Sequence, residues 1–181
     1  MLDEAAKKKK HLAVRLNGTS DIPHERIAPE LFKKHHDVKF YDYTKYKSRV
    51  VSKKRPKNYH LTYSSTGLNH KGSNWKDARE ILDNKHGHID RPVVAMAFKV
   101  KKGHPLPTHV HDEETGKKYR VIDGDEHDHR HLDHEYHGIP HHEGVIAGLR
   151  IKGGEKNAER AGSFAVHVNE HGYAVAKKGQ N

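Results

Sequence analysis

The sequence predicts an α/β domain: a mainly parallel sheet of about six strands with crossover helices, an open or incomplete barrel that ends in a C-terminal hairpin. Three observations predict it. Short apolar segments alternate with segments of helical spacing, and strands separated by helices imply right-handed parallel crossovers. Residues 93–98 are continuously apolar, as in a strand buried on both faces. At 181 residues the chain is short for a closed eight-unit barrel of ~250.

The elements follow in order. Residues 1–12 read as a basic N-terminal arm or short helix, and 13–181 as a single α/β domain. Residues 13–16 form a short strand that runs into the turn residues Asn17-Gly18-Thr19-Ser20-Asp21. Residues 24–36 suit a helix, with Ile27, Leu31 and Phe32 at helical spacing. Residues 38–43 form the second strand. Thr44 is placed to cap a brief basic helix that Pro56 closes. Residues 58–64 form the third strand. Ser73 or Asn74 caps a helix from 75 to about 85, with Trp75, Ala78, Ile81 and Leu82 on its apolar face.

Residues 93–100 give the fourth strand, and Pro105 and Pro107 begin a loop. Residues 109–111 and 118–122 pair across the turn Glu114-Thr115-Gly116. Residues 123–143 have no periodicity and are crowded with His and acids, which predicts a surface loop. Residues 145–151 form a buried strand stopped by Gly153-Gly154. Residues 164–168 and 173–175 form the closing hairpin. That hairpin, or a second copy of the chain, would cover an exposed sheet edge, so a homo-oligomer is a candidate assembly.

Composition excludes several function classes. There is no Cys, so disulfides, thiolate zinc sites, Cys nucleophiles and an iron–sulfur cluster held by thiolates are out. No apolar run approaches the ~20 residues that span a bilayer, and the N-terminus has the wrong pattern for a secretory signal. A soluble, intracellular protein, with no membrane partner, is the expectation. No Walker loop, Gly-x-Gly-x-x-Gly or Gly-x-Ser-x-Gly is present.

The formal charge of +10 is uneven. Residues 1–60 hold 16 Lys/Arg against 7 Asp/Glu, whereas 61–181 hold 18 against 17. A field of that kind attracts nucleic acid or another polyanion. Tyr41, Tyr43, Tyr46 and Tyr59 are interleaved with it, and their rings are able to stack on bases. The plainer reading is a solvated surface with Tyr rings half in the core.

In parallel sheets the chemistry gathers at the carboxyl ends of the strands. Asp21, Asp42 with Lys45, Ser64, and Asp123 with Asp125 stand at four such ends. The sequence predicts that they converge on one rim. Asp21, Asp42, Lys45, Asp123 and Asp125 are then candidate catalytic residues, unless each merely caps the next turn or helix. Asp123, Asp125 and His127, around the bend at Gly124, are a candidate site for Mg²⁺, Mn²⁺ or Zn²⁺. The alternative has Asp123 capping a turn and Asp128 pairing with Arg130. Seven His lie between 127 and 142, and a general compositional bias accounts for most of them. His109-Val110-His111 is a His–hydrophobic–His triplet of the kind rolling-circle nucleases use for a divalent ion, and Tyr41…Lys45 and Tyr43…Lys47 fit their Tyr-x-x-x-Lys spacing. Here the Tyr motif precedes the triplet, the reverse order.

Several phrases occur in sequence: Arg15-Leu16-Asn17-Gly18-Thr19-Ser20-Asp21-Ile22, Phe40-Tyr41-Asp42-Tyr43-Thr44-Lys45, Asn58-Tyr59-His60-Leu61-Thr62-Tyr63-Ser64, and residues 121–133 and 144–153. Together they resemble the bacteriophage "gene product 88" family, over most of 13–153. The resemblance implies a phage or mobile-element origin and brings no established activity. Longer members carry an N-terminal Cys cluster similar to that of radical enzymes using S-adenosylmethionine; this chain has no Cys to supply one. His129 and His131 stand where members tend to be apolar, and the loop after Asp133 is longer. Within the shared phrases, Tyr43, Ser64, Asp128 and Arg130 are candidate substrate-binding residues. Three functions follow as expectations: a protein acting on nucleic acid or nucleotides through strand-end Asp residues, a non-catalytic nucleic-acid or protein binding module, or a phage assembly protein.

Overall fold

A computed structural model describes residues 12–68, 72–100, 103–151, 160–169 and 172–175. Residues 1–11 of the basic arm and Gly153-Gly154 lie outside these residues. Strands β1 (Ala13–Arg15), β2 (Lys39–Thr44), β3 (Tyr59–Ser64) and β4 (Val93–Phe98) stand side by side, all parallel. Next come β7 (Val145–Arg150) and β6 (Lys118–Asp123), also parallel. These six strands are the expected parallel sheet, and it does not close. β5 (His109–His111) pairs antiparallel with β6, as its turn residues predict. The C-terminal hairpin, β8 (His167–Val168) and β9 (Ala174–Val175), adds to β5 through Val110 and Ala174. No helix among the described residues is long and apolar enough to cross a membrane.

The two faces of the sheet differ in what covers them. Alternation along each strand sends Phe40, Asp42, Tyr59, Leu61, Tyr63, Val94, Met96, Phe98 and Ile146 to one face. Helices α1 (His24–Ile27), α2 (Pro29–Lys34), α3 (Lys47–Val50) and α4 (Trp75–Leu82) lie in the crossovers, and the main core forms here around Phe32, Val50, Trp75 and Ile81. The other face carries Tyr41, Tyr43, His60, Thr62, Ser64, Ala95, Ala147 and Ile122. Among the described residues no crossover helix reaches it. It is roofed by residues 124–143, which include a 3-10 turn (Arg130–Leu132) and α5 (Asp133–Tyr136). Ile139 of the roof joins Val93, Ile122, Val145 and Ala147 in a second, smaller core.

Three expectations are corrected. The helix over 24–36 breaks in two at Ala28, because a residue before proline is driven from the helical region. Ile27 consequently points to solvent, 65% exposed. Thr44 does not cap a helix; α3 begins at Lys47 after Tyr46, and the Thr44 hydroxyl accepts from the Tyr46 amide (3.1 Å) and donates to Asp21 (3.0 Å). Residues 123–143 are not a surface loop, since Arg130, Asp133, His134 and Ile139 are buried. An irregular segment that must cover an apolar sheet face has buried anchors without a period.

Candidate functional site

The carboxyl rim holds the candidate acids in two clusters. At the ends of β1 and β2, Asp42 lies inside the sheet on the helix face, 1% exposed. It accepts from the Asn17 amide (2.7 Å), the Asn17 side chain (3.2 Å) and the Tyr59 hydroxyl (2.7 Å). Burial still holds its pKa above the ordinary carboxylate value, against the pull of the Tyr59 and Asn17 bonds. Asp21 accepts from Thr44 and from the Lys45 amide (2.9 Å), and pairs with Arg49. Arg49, itself buried, binds Glu25 at 2.8 Å and donates to Tyr59 at 3.2 Å. So Asp21, Asp42 and the Lys45 backbone meet in one network, with Arg49 at its centre. The Lys45 ammonium is turned away, 5.6 Å over the Phe164 ring.

The second cluster sits at the ends of β6 and β7. Arg150 grips Asp123 with both nitrogens (2.8 and 2.7 Å) and takes Asp125 at 3.0 Å. The Arg150 guanidinium holds the Asp123 carboxyl below its usual range. Asp123 also accepts from the Asp125 amide (3.1 Å), so the turn-capping alternative is present as well. β3 and β4 separate this cluster from Asp42 on β2. The acids therefore do not gather at one point.

The residues at 123, 125 and 127 do not fit a divalent ion. Both carboxylates are turned onto Arg150, and the His127 Nε2 faces Asp133 at 3.7 Å instead. Among the described residues no group of three or more His, Cys, Asp or Glu is arranged to hold a metal.

The four candidate substrate-binding residues belong to the roofed side. Tyr43 and Ser64 line the face itself, and Asp128 and Arg130 stand in the roof. Arg15 lies over the Tyr43 ring at 4.9 Å. Arg130 is fully buried, and Gly124 makes room for it: a Cβ there would come 2.9 Å from the guanidinium and 2.8 Å from the Gly148 carbonyl. Arg130 faces Asp133 at 3.4 Å without a hydrogen bond, so its ion-pair partner is Asp133 and not Asp128. Both Asp133 oxygens, two Arg130 nitrogens, Thr62, His60, His127, His131, His134 and His137 each present buried atoms with no hydrogen-bond partner. Burial pushes Asp133 up to about 7, partly offset by Arg130. Burial likewise keeps His60 and His134 neutral-leaning and takes His131 down to about 4.

At the amino rim, where β2 and β3 begin, a cleft of about 540 Å³ opens between the roof and the segment after α3. Lys39, Lys53, Arg55, Lys57 and Arg91 line it, with Asp90 and Glu135 the facing acids; His60, His88 and His131 also contribute. Arg91 pairs with both acids, at 2.6 Å for Glu135. Among the described residues, no carboxylate lies within 4.0 Å of Lys39, Lys53 or Lys57. Arg55 is anchored on the Val50 carbonyl (2.7 Å), and burial lowers its pKa.

Reasoning from sequence missed the partners more than the acids. Nothing local marks Arg49 or Arg150 as the groups that occupy Asp21 and Asp123, since both pairs are long-range. Asp112 was also missed: it is fully buried and takes bonds from Trp75 (3.1 Å), Arg79 (2.8 Å) and Thr115. The basic excess over residues 1–60 did carry a signal for the cleft, which takes Lys39, Lys53, Arg55 and Lys57 from it. Of the four interleaved Tyr, Tyr59 is buried, Tyr41 and Tyr43 are half-buried under the roof, and Tyr46 is 60% exposed.

No curated protein and no solved structure matches the chain. The family profile described as Gene product 88 matches residues 1–166, which take in both rims, the roof and the whole parallel sheet. With nine-tenths of its length matched in this way, the chain belongs to the gene product 88 family, a family of phage gene products.

Proposed function

We propose that the protein is a non-catalytic nucleic-acid-binding module that grips phosphates in the cleft at the amino rim. The observation that carries this reading is the pairing state of the charges. The strand-end carboxylates needed for metal-assisted chemistry are engaged by Arg49 and Arg150. Among the described residues the cleft, in contrast, keeps Lys39, Lys53 and Lys57 without a carboxylate partner, beside Arg55. Free ammonium groups along a concave wall concentrate field and attract a phosphate backbone without reading sequence. A host-cytoplasm location goes with a nucleic-acid ligand and a chain free of Cys.

Binding of a labelled single-stranded oligonucleotide, followed by anisotropy against salt, tests the reading. Affinity should fall steeply with salt, and the double variant K53Q/K57Q should reduce the slope of log K against log salt by about 1.4, from ~0.7 per contact. Asp123→Ala should leave that slope unchanged. No binding at about 50 mM salt, or a slope indifferent to K53Q/K57Q, overturns the proposal.

A further inference from the structure

We infer that the β5–β6 hairpin carries a second phosphate-contact surface, so that a single nucleic-acid strand runs from the cleft across the roof to this hairpin. The inference rests on the nucleic-acid reading of the cleft and extends it to residues that no part of the cleft includes. It starts from the His109-Val110-His111 triplet. The cross-strand register sets His109 opposite Arg120 and His111 opposite Lys118. Directly opposed residues project from the same face, so the four side chains form one patch, and all four residues are exposed. The intervening pair, Val110 and Tyr119, points into the core, 0% and 6% exposed.

The neighbours decide what the imidazoles serve. A metal ion between His109 and His111 would share its face with two permanent positive charges, Lys118 and Arg120, which repel it. A phosphate is drawn by the same two charges, and each imidazole offers it an N–H. Among the described residues no carboxylate lies within 4.0 Å of Lys118 or Arg120. The adjacent Lys117 is paired with Asp83 (2.9 Å), and Glu143, which lines the same pocket as Lys118 and Arg120, stays beyond 4.0 Å from both. Tyr173, just before β9, is 59% exposed beside β5 and offers a ring on which an unpaired base stacks.

Position links this patch to the cleft. The registers Phe40–Tyr59, Tyr63–Val94, Val94–Ile146 and Ile146–Val121 bring Lys118 level with Tyr41, two residues from Lys39. Lys39, Tyr41, Lys118 and Arg120 all project from the roofed face. β2 and β6 are four strand spacings apart, roughly 19 Å along the sheet. One extended strand of nucleic acid spans that distance, with the roof between its two ends.

The test uses the full chain and an oligothymidylate of about 12 nucleotides, within the span such surfaces cover. K118Q/R120Q should weaken binding about tenfold and reduce the salt slope by about 1.4, and it should add to K53Q/K57Q. Tyr173→Ala should weaken binding while leaving the slope unchanged. If K53Q/K57Q lowers affinity and slope but K118Q/R120Q alters neither, the hairpin surface is wrong and the cleft reading stands. If the wild type does not bind, or neither double variant matters, the cleft reading itself is wrong. Thermal unfolding of each variant at the wild-type midpoint confirms that these exposed substitutions leave the fold intact.

Discussion

The two faces of the sheet bury comparable charges with opposite results. On the helix side, every buried ionic group named above has partners: Asp42 takes three hydrogen bonds, and Arg49 joins Asp21, Glu25 and Tyr59. On the roofed side, ten of the eleven unpartnered buried atoms found among the described residues are concentrated. Asp112 and Asp133 state the contrast most sharply, since both are 0% exposed. Burial alone would raise Asp112, yet bonds from Thr115, Arg79 and Trp75 outweigh it and bring the carboxyl down to about 2. Asp133 has no such donors, and burial takes it to about 7. Burial sets the scale of a charge's cost, and the donors around it set the sign. A face with so many unanswered groups opens at lower free energy than one without them.

The strongest way to break this comparison is to remove one arginine from each side. Arg49→Ala leaves Asp21 and Glu25 facing an empty buried position, and stability should fall by about 3–5 kcal/mol. Arg130→Ala should cost less than half as much, because Asp133 already holds its proton readily and Arg130 makes few bonds to lose. Urea unfolding at neutral pH measures both. Equal losses would mean that the two faces are built alike.

Titration sharpens the same contrast. Folded Asp133 keeps its proton to about pH 7, whereas the unfolded carboxyl releases it near the ordinary 3.8. The unfolded state therefore binds fewer protons, and this group makes the protein less stable as pH rises from about 4 to about 7. Asp133→Asn removes that loss: it should match the wild type near pH 4 and exceed it above pH 7, by at most about 4 kcal/mol at 1.36 kcal/mol per unit. Asp112 runs the other way. Its contribution is complete above about pH 4 and disappears as pH falls toward 2, so Asp112→Asn should cost about 2 kcal/mol at neutral pH and nothing near pH 2. Burial also lowers His60 well below the ordinary imidazole value and brings His131 to about 4, so the readout is each variant's difference from wild type. Parallel pH profiles for both Asn variants would remove the distinction between the faces.

How much of this was legible follows from what each feature depends on. The parallel strands were readable because apolar runs such as 93–98 and 145–149 are local, and the turn at Glu114-Thr115-Gly116 announced the β5–β6 pairing. The roof was half-legible. A continuously apolar β4 demands cover on both faces, and residues 124–143 were the one long segment available between β6 and β7. Its anchors had no period, because Arg130, Asp133 and Ile139 meet an irregular surface and not a helix groove. The candidate site was legible in composition and not in pairing. Asp21, Asp42, Asp123 and Asp125 do stand at or near strand ends, but their partners lie 28 residues away for Asp21–Arg49 and 27 for Asp123–Arg150. No local pattern encodes a contact of that range.

The smallest expected effect bears on function. Lys53 and Lys57 are exposed cations with no carboxylate partner among the described residues, whereas Lys47, on the helix side, binds Asp77 and Glu80 at 2.7 and 2.8 Å. An unpartnered surface charge contributes little to folding, so K53Q/K57Q should shift unfolding free energy by less than about 0.5 kcal/mol, while Lys47→Gln should cost up to about 1 kcal/mol. Urea midpoints at moderate salt distinguish the two. A stability loss for K53Q/K57Q as large as that for Lys47→Gln would make the cleft lysines part of the scaffold. A negligible one leaves their charge available for a ligand, since a group kept on a concave wall without a partner in the fold has its interactions still to make.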